Sequence, residues 1–187
     1  MVNDVIFGPL LGWGIAAVLL FWAVGAYNRL VRLRGKLLRI FAALAAQFER
    51  YGEWLRAHEL GDTAGVASGD AQLVGMWAGL NGAVAQFEAS LVAARANPLS
   101  GSAIAALAAA RLVLLLAWQR MGNDALALCS APDGVETMRA EWDQITLQTQ
   151  STDKAFALAV IAYNQAVRGF PAILLAWAFG FRSAQTL

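Results

Sequence analysis

The chain has 187 residues, enough for a membrane anchor and one compact domain and too few for two sizeable cores. Hydrophobic residues make up 59% and charged residues 14%, and the mean hydropathy is +0.52, which together indicate a membrane protein rather than a soluble domain. The formal net charge of +1 does not favour nucleic acid as a partner. Because the chain has only one cysteine, Cys129, and one histidine, His58, it can form neither an intramolecular disulfide nor a zinc site of the usual Cys/His type.

The first element is an apolar run between Asp4 and Arg29 that contains no charged side chain. As a helix this run would be about 36 Å long, enough to cross a hydrocarbon core of about 30 Å. The sequence therefore predicts a transmembrane anchor over residues 1–28. A cleaved signal peptide ending near Gly25 is the alternative, but the run is long for one and no basic residue precedes it.

Basic residues follow the anchor and none precedes it. They are Arg29, Arg32, Arg34, Lys36 and Arg39. Positive charge beside a membrane helix marks the cytoplasmic side, so residues 29–187 are predicted to form a cytoplasmic domain, with a short N-terminus outside. We interpret these charges chiefly as a topology signal, with contact to anionic lipid as the alternative.

The anchor is predicted to continue without a break into a bundle helix. Apolar residues recur every three or four positions from Leu30 to Leu55, which is the pattern of a helix packed on other helices. Residues 60–70 are rich in Gly, Ser, Thr and Asp and predict a loop. A second helix is predicted over residues 71–96, before Pro98. Its predicted apolar face consists of Leu73, Val74, Trp77, Leu80, Val84, Phe87, Leu91 and Val92.

Two further helices complete the predicted bundle. The third covers residues 103–128 and follows two serines suited to cap it. A second membrane span is the alternative there, but Arg111 and Arg120 favour a buried bundle helix. The fourth is predicted to begin near Val135 with Asp133 as its cap. The predicted fold is all-α, with an N-terminal transmembrane helix continuing into a long antiparallel, four-helix-like bundle.

The C-terminal tail, residues 170–182, is apolar and aromatic. Pro171 predicts a kink or break after the fourth helix. From Pro171 to Phe181 the apolar stretch is too short to span a bilayer. Three interpretations stay open: the tail packs on the bundle, lies in the membrane interface, or joins protomers through Trp177 and its neighbours.

No residue pattern predicts catalysis. Glu49 and Glu53 share a helix face but lack the partner histidines of a bundle metal site. No nucleophile motif accompanies His58, and the glycines form neither a P-loop nor a dinucleotide fingerprint. We therefore predict a non-enzyme with no catalytic residue, metal, cofactor, small-molecule substrate or nucleic-acid partner.

Two stretches resemble the LemA family of bacterial membrane proteins. One is AYNRLVRLRGKLLRIFAALAAQFER, directly after the anchor, and the other is AYNQAVRGFPAILLAWAFGFR, near the C-terminus. The chain departs from the family pattern at Phe156-Ala157, where the family has a further Tyr-Asn pair, and so resembles a divergent member. The resemblance implies an N-terminal anchor in a bacterial inner membrane, a long helical bundle, and no established catalytic activity or cofactor.

The two matched stretches contain the residues that we predict to matter for membrane contact and interaction. They are Tyr27, Asn28, Arg29, Arg32, Arg34, Lys36, Arg39, Tyr163, Asn164, Arg168, Phe170, Pro171, Trp177 and Phe181. An up-down bundle would bring both Tyr-Asn pairs near the membrane. The predicted function is a single-pass scaffold or adaptor that binds a second copy or another membrane protein. The alternative is an accessory or regulatory subunit of a membrane enzyme such as a protease.

Overall fold

The computed structural model describes the backbone of residues 2–57, 71–128, 132–170 and 172–187, and every regular element in these ranges is an α-helix. The helices are α1 (Val2–Ala57), α2 (Ala71–Ala96), α3 (Gly101–Leu128), α4 (Pro132–Arg168) and α5 (Ala172–Phe179). The predicted all-α fold is confirmed. The predicted loop over residues 60–70, His58 and Cys129 lie outside the described residues.

Most helix boundaries lie close to those predicted. α1 runs for 56 residues without interruption, and α2 covers the predicted range. α3 begins two residues early because the Ser100 hydroxyl oxygen accepts the backbone N–H of Ala103, at 3.4 Å. α4 begins at Pro132, so Asp133 lies inside its first turn instead of preceding it as predicted. A proline suits that first turn because its missing N–H has no helical partner to lose.

The helices form an antiparallel bundle in which α1 packs along α4, and α2 along α3. The predicted apolar face of α1 is confirmed, since its residues from Leu30 to Leu55 lie in the core or pack against it. Two predicted core residues of α2 are wrong: Val74 is 37% and Val92 is 68% exposed. Adjacent helical residues point about 100° apart, so Leu91 and Val92 cannot both face the core, and Leu91 is the buried one.

An aromatic cluster joins three helices at the end of the bundle farthest from the apolar N-terminal segment. Trp142 of α4 stacks on Trp118 of α3 with ring centroids 4.7 Å apart, and Tyr51 of α1 lies 5.0 Å from Trp142. Trp54 completes the cluster, 5.3 Å from Trp118. Its indole N–H also donates to a carboxylate oxygen of Glu141, at 3.0 Å. This cluster fixes α1, α3 and α4 relative to one another.

Ion pairs join neighbouring helices along the bundle. Arg111, in the apolar part of α3, donates to Asp153 of α4 at 2.7 Å, and its guanidinium carbon lies 5.1 Å from the Phe48 ring centroid. Glu49 of α1 is partly exposed and pairs with Arg95 of α2.

Candidate membrane-proximal site

The first half of α1 projects beyond the bundle. Between residues 12 and 29 the structure buries no side chain, and large apolar groups such as Trp13 and Phe21 are 76% and 81% exposed. Within the part of the chain that the structure describes, two helices are by length and composition able to cross a membrane, one within Gly12–Ala57 and one at Gly101–Gly122. The bent pair α4–α5 would be a third if it formed one span. The described residues therefore combine a helical bundle with candidate membrane-spanning helices.

The basic residues after the apolar run separate into two groups. Four of them recur at spacings of three or four and project from one exposed side of α1: Arg29, Arg32, Lys36 and Arg39. Arg34 points elsewhere, and its guanidinium carbon lies 5.9 Å from the ring centroid of Phe181. Asn28 and Arg168 are exposed.

Arg34 belongs to a candidate membrane-proximal cluster made of Tyr27, Arg34, Tyr163, Phe179 and Phe181. The ring of Tyr27 lies 5.2 Å from that of Phe179 and 6.2 Å from that of Phe181. Tyr163 is buried, and its burial raises the pKa of the hydroxyl above its ordinary value, while the positive charge of Arg34 opposes the rise. The hydroxyl is therefore protonated at neutral pH, and the cluster joins α1, α4 and the tail.

The predicted break after α4 is confirmed. α4 ends at Arg168, and α5 follows at 96° to it. The Gly169 carbonyl accepts the backbone N–H of Ile173 at 3.0 Å, which starts α5, whereas Pro171 lies outside the described residues. Phe170 at the corner contacts Trp22 of α1, with ring centroids 5.3 Å apart.

α5 packs on the bundle with one face and leaves the other open. Ala172 and Ala176 are buried, while Trp177 is 89% exposed. The helix ends with Gly180 at φ 69°, and the Phe181 N–H donates to the Ala176 carbonyl at 2.9 Å. This is the glycine C-cap that reverses the chain, and it returns Phe181 to α1.

Asn164 fixes the last residues to α4. Its side-chain amide donates to the Ala184 carbonyl and accepts the Ala184 N–H, both at 2.8 Å. Asn164 stood out in the sequence, but neither this pairing nor the cap at Gly180 was predicted from it. The cap had a sequence signal, a glycine between two aromatic residues after an apolar run, whereas the pairing spans 20 positions and had none.

Replacing Asn164 with leucine is expected to release residues 181–187 from α4. The substitution removes both amide hydrogen bonds, each of which contributes about 0.5–1.5 kcal/mol. Hydrogen exchange followed by mass spectrometry should show loss of protection in this tail while the backbone of α2 keeps its protection. Gln165→Leu is the matched control on an exposed neighbouring position. Equal tail protection in both variants would contradict the role of Asn164.

Among the described residues no group of three or more His, Cys, Asp or Glu is placed to hold a metal ion. No family model, curated protein sequence or solved structure matches this chain. The class that the fold and site define is an α-helical bundle with helices able to cross a membrane.

Proposed function

We propose that this protein is a non-enzymatic scaffold anchored by one helix to the cytoplasmic face of a bacterial inner membrane, and a divergent member of the LemA family. It acts through helix–helix contacts, including contacts with further copies of itself. The observation that carries this function is an exposed apolar face on α3. The positions of α1 and α5 support the proposed placement at the membrane. The exposed apolar face of α3 supports the proposed helix–helix contacts.

The position of α3 along the axis of α1 supports a single membrane span. Arg111 at the middle of α3 lies beside Phe48, 20 residues after Asn28 along α1, or about 30 Å at 1.5 Å per residue. A hydrocarbon core is itself about 30 Å thick. A bilayer that holds the apolar run of α1 therefore lies well below the middle of α3, and α3 belongs to the cytoplasmic bundle.

The direction of α5 supports a place in the membrane interface. α4 runs antiparallel to α1, so a helix at 96° to α4 lies along the membrane plane. The exposed side chains of α5 are Ile173, Leu174, Trp177 and Phe179, which suit the boundary between headgroups and acyl chains. We propose that α5 rests on the bilayer beside the point where α1 leaves it.

The continuity of α1 limits how many basic residues reach the lipid. Arg39 lies ten residues beyond Arg29, about 15 Å along a rigid helix. That separation exceeds the screening length of about 8 Å at physiological salt. Arg29 and Arg32 are thus the residues that contact the leaflet, and the others fix topology or face solvent.

The outward face of α3 is apolar for three turns. Ala105, Ala109, Leu112 and Leu116 recur at spacings of three or four on the side opposite the core, and both leucines are more than half exposed. No charged side chain interrupts this face before Arg120. Because it lies above the proposed bilayer, lipid does not cover it, and a helix of another chain would bury it.

Self-association is expected to depend on this face. The full-length protein, extracted from its own membrane into lipid nanodiscs, should have the mass of a homogeneous homo-oligomer. Leu116→Lys places a charge on this face and should shift the mass to that of a monomer. Leu147→Lys is the matched control, since Leu147 of α4 is 64% exposed and lies away from this face.

Each outcome of this measurement distinguishes the candidates. A wild-type monomer with one recurrent stoichiometric partner, lost in Leu116→Lys, would support the accessory-subunit alternative instead. An oligomer that persists in Leu116→Lys would contradict a role for α3. A monomer without any partner would contradict the scaffold itself.

A further inference from the structure

A groove opens where α1 leaves its apolar run and passes the end of α4. Its volume is about 450 Å³, within the range of about 300–1,000 Å³ that is usual for small-ligand sites. The side chains and small residues that define it are Phe21, Trp22, Gly25, Arg29, Gln165 and Phe170.

The chemistry of the groove changes along α1. Phe21, at one end, is apolar and 81% exposed, and Arg29 lies about 12 Å farther along the helix, at the other end. Between them Gly25 leaves the floor open, since a Cβ placed there would meet no atom within 4 Å. The order from apolar surface to cation follows the direction from the acyl region of a bilayer to its headgroups.

Polar groups at the cationic end suit a phosphate. Arg29 is exposed and forms no ion pair with any described residue, and none of the lining residues is acidic. A guanidinium group binds phosphate oxygens through paired N–H donors. The Gln165 amide, on α4, is a further donor that lines the same groove.

We propose that this groove binds one anionic glycerophospholipid of the cytoplasmic leaflet. The phosphate contacts Arg29 and Gln165, an acyl chain lies over Gly25 toward Phe21, and the rest of the lipid remains in the bilayer. The site rests on the proposed placement of α1 in the membrane. Because the groove is bounded by both α1 and Phe170, a bound lipid connects the anchor to the corner between α4 and α5.

Native mass spectrometry of the full-length protein in mild detergent tests this site. Titration with phosphatidylglycerol is expected to give one tightly bound lipid per chain. With phosphatidylcholine the affinity should be about fivefold lower, because one cation beside an anionic headgroup contributes about 1 kcal/mol. Inorganic phosphate at millimolar concentration should leave the bound lipid in place. Its displacement by phosphate would show a free-anion site and overturn the proposal.

A larger side chain that fills the groove should weaken lipid binding without disturbing the fold. Gly25→Leu projects a side chain into the open space and improves helix propensity. We expect phosphatidylglycerol to bind at least about tenfold more weakly, a loss of about 1.4 kcal/mol. The matched control is Gly14→Leu, where an added Cβ is equally unobstructed but lies outside the groove. Equal binding by the two variants would overturn the proposal.

The charge at the headgroup end is tested separately. Arg29→Gln should abolish the preference for phosphatidylglycerol over phosphatidylcholine, whereas Arg32→Gln, which does not line the groove, should keep it. An equal reduction in both variants would indicate a diffuse surface charge and overturn the site.

Alkaline carbonate extraction distinguishes failure of the proposed membrane anchor from failure of the proposed lipid groove. Release of the wild-type protein from membranes would contradict the anchor itself, while retention together with normal lipid binding by Gly25→Leu would contradict the groove alone.

Discussion

Replacing Trp142 with alanine is expected to lower the free energy of unfolding by about 3–5 kcal/mol, the usual cost of removing a buried tryptophan. Trp142 is 3% exposed and contacts aromatic rings from two other helices, Tyr51 of α1 and Trp118 of α3. Its removal leaves a cavity where three helices meet. Urea unfolding of the full-length protein in mild detergent, followed by circular dichroism, measures the loss.

Trp177 provides the matched control for this prediction. It is 89% exposed on α5, so Trp177→Ala should change the free energy of unfolding by no more than about 0.5 kcal/mol. A loss of similar size in the two variants would show that the aromatic cluster does not hold the bundle together. The comparison also separates the proposed membrane-facing tryptophan from the structural one, because both substitutions remove the same side chain.

Asp153→Leu is expected to have the second-largest effect, a loss of about 1–3 kcal/mol of unfolding free energy. The substitution leaves Arg111 without its carboxylate partner in an apolar part of α3. The side chains of the pair are 18% and 27% exposed, and we therefore expect less than the full cost of a completely buried unpaired charge. Urea unfolding under the same conditions measures it.

A double substitution and a surface control make this prediction specific. Arg111→Met combined with Asp153→Leu removes both charges and should recover most of the lost stability, since well-packed apolar residues replace such pairs at little cost. Glu88→Leu removes the carboxylate of the more exposed pair with Arg56 and should cost no more than about 1 kcal/mol. A double variant as unstable as Asp153→Leu alone would contradict an electrostatic origin of the effect.

The residues that line the proposed lipid groove come from two distant parts of the sequence. Arg29 was conspicuous in the sequence as the first basic residue after the apolar run, and Trp22 lies within that run. The other residues that line the groove, Gln165 of α4 and Phe170 at the corner after it, come more than 130 positions later. The sequence predicted that the two Tyr-Asn pairs lie near the membrane, and the structure places Tyr27 and Tyr163 in one cluster through Arg34 and Phe181. That this cluster matters for membrane contact and interaction stays a prediction.

By itself the sequence determined the four long helices and placed their boundaries within about three residues, but it did not predict α5. The uninterrupted α1, the range of α2 and the break after Arg168 followed from apolar spacing, glycine and proline, because these act within a few residues of the chain. The same local patterns located the exposed apolar run of α1 and the basic residues after it, which are the basis for the membrane placement.

Only the tertiary structure decided which surfaces meet. Arg111 is a single charge in the apolar part of α3 until α4 brings Asp153 beside it, and Val92 fits the apolar pattern of α2 although packing leaves it exposed and buries Leu91. The amide of Asn164 likewise finds its partner in the tail, 20 positions away. Apolar periodicity defines the buried side of each helix but not the neighbour that covers it, because the attraction between apolar surfaces has no direction and helix pairing depends on the fit of all the side chains together.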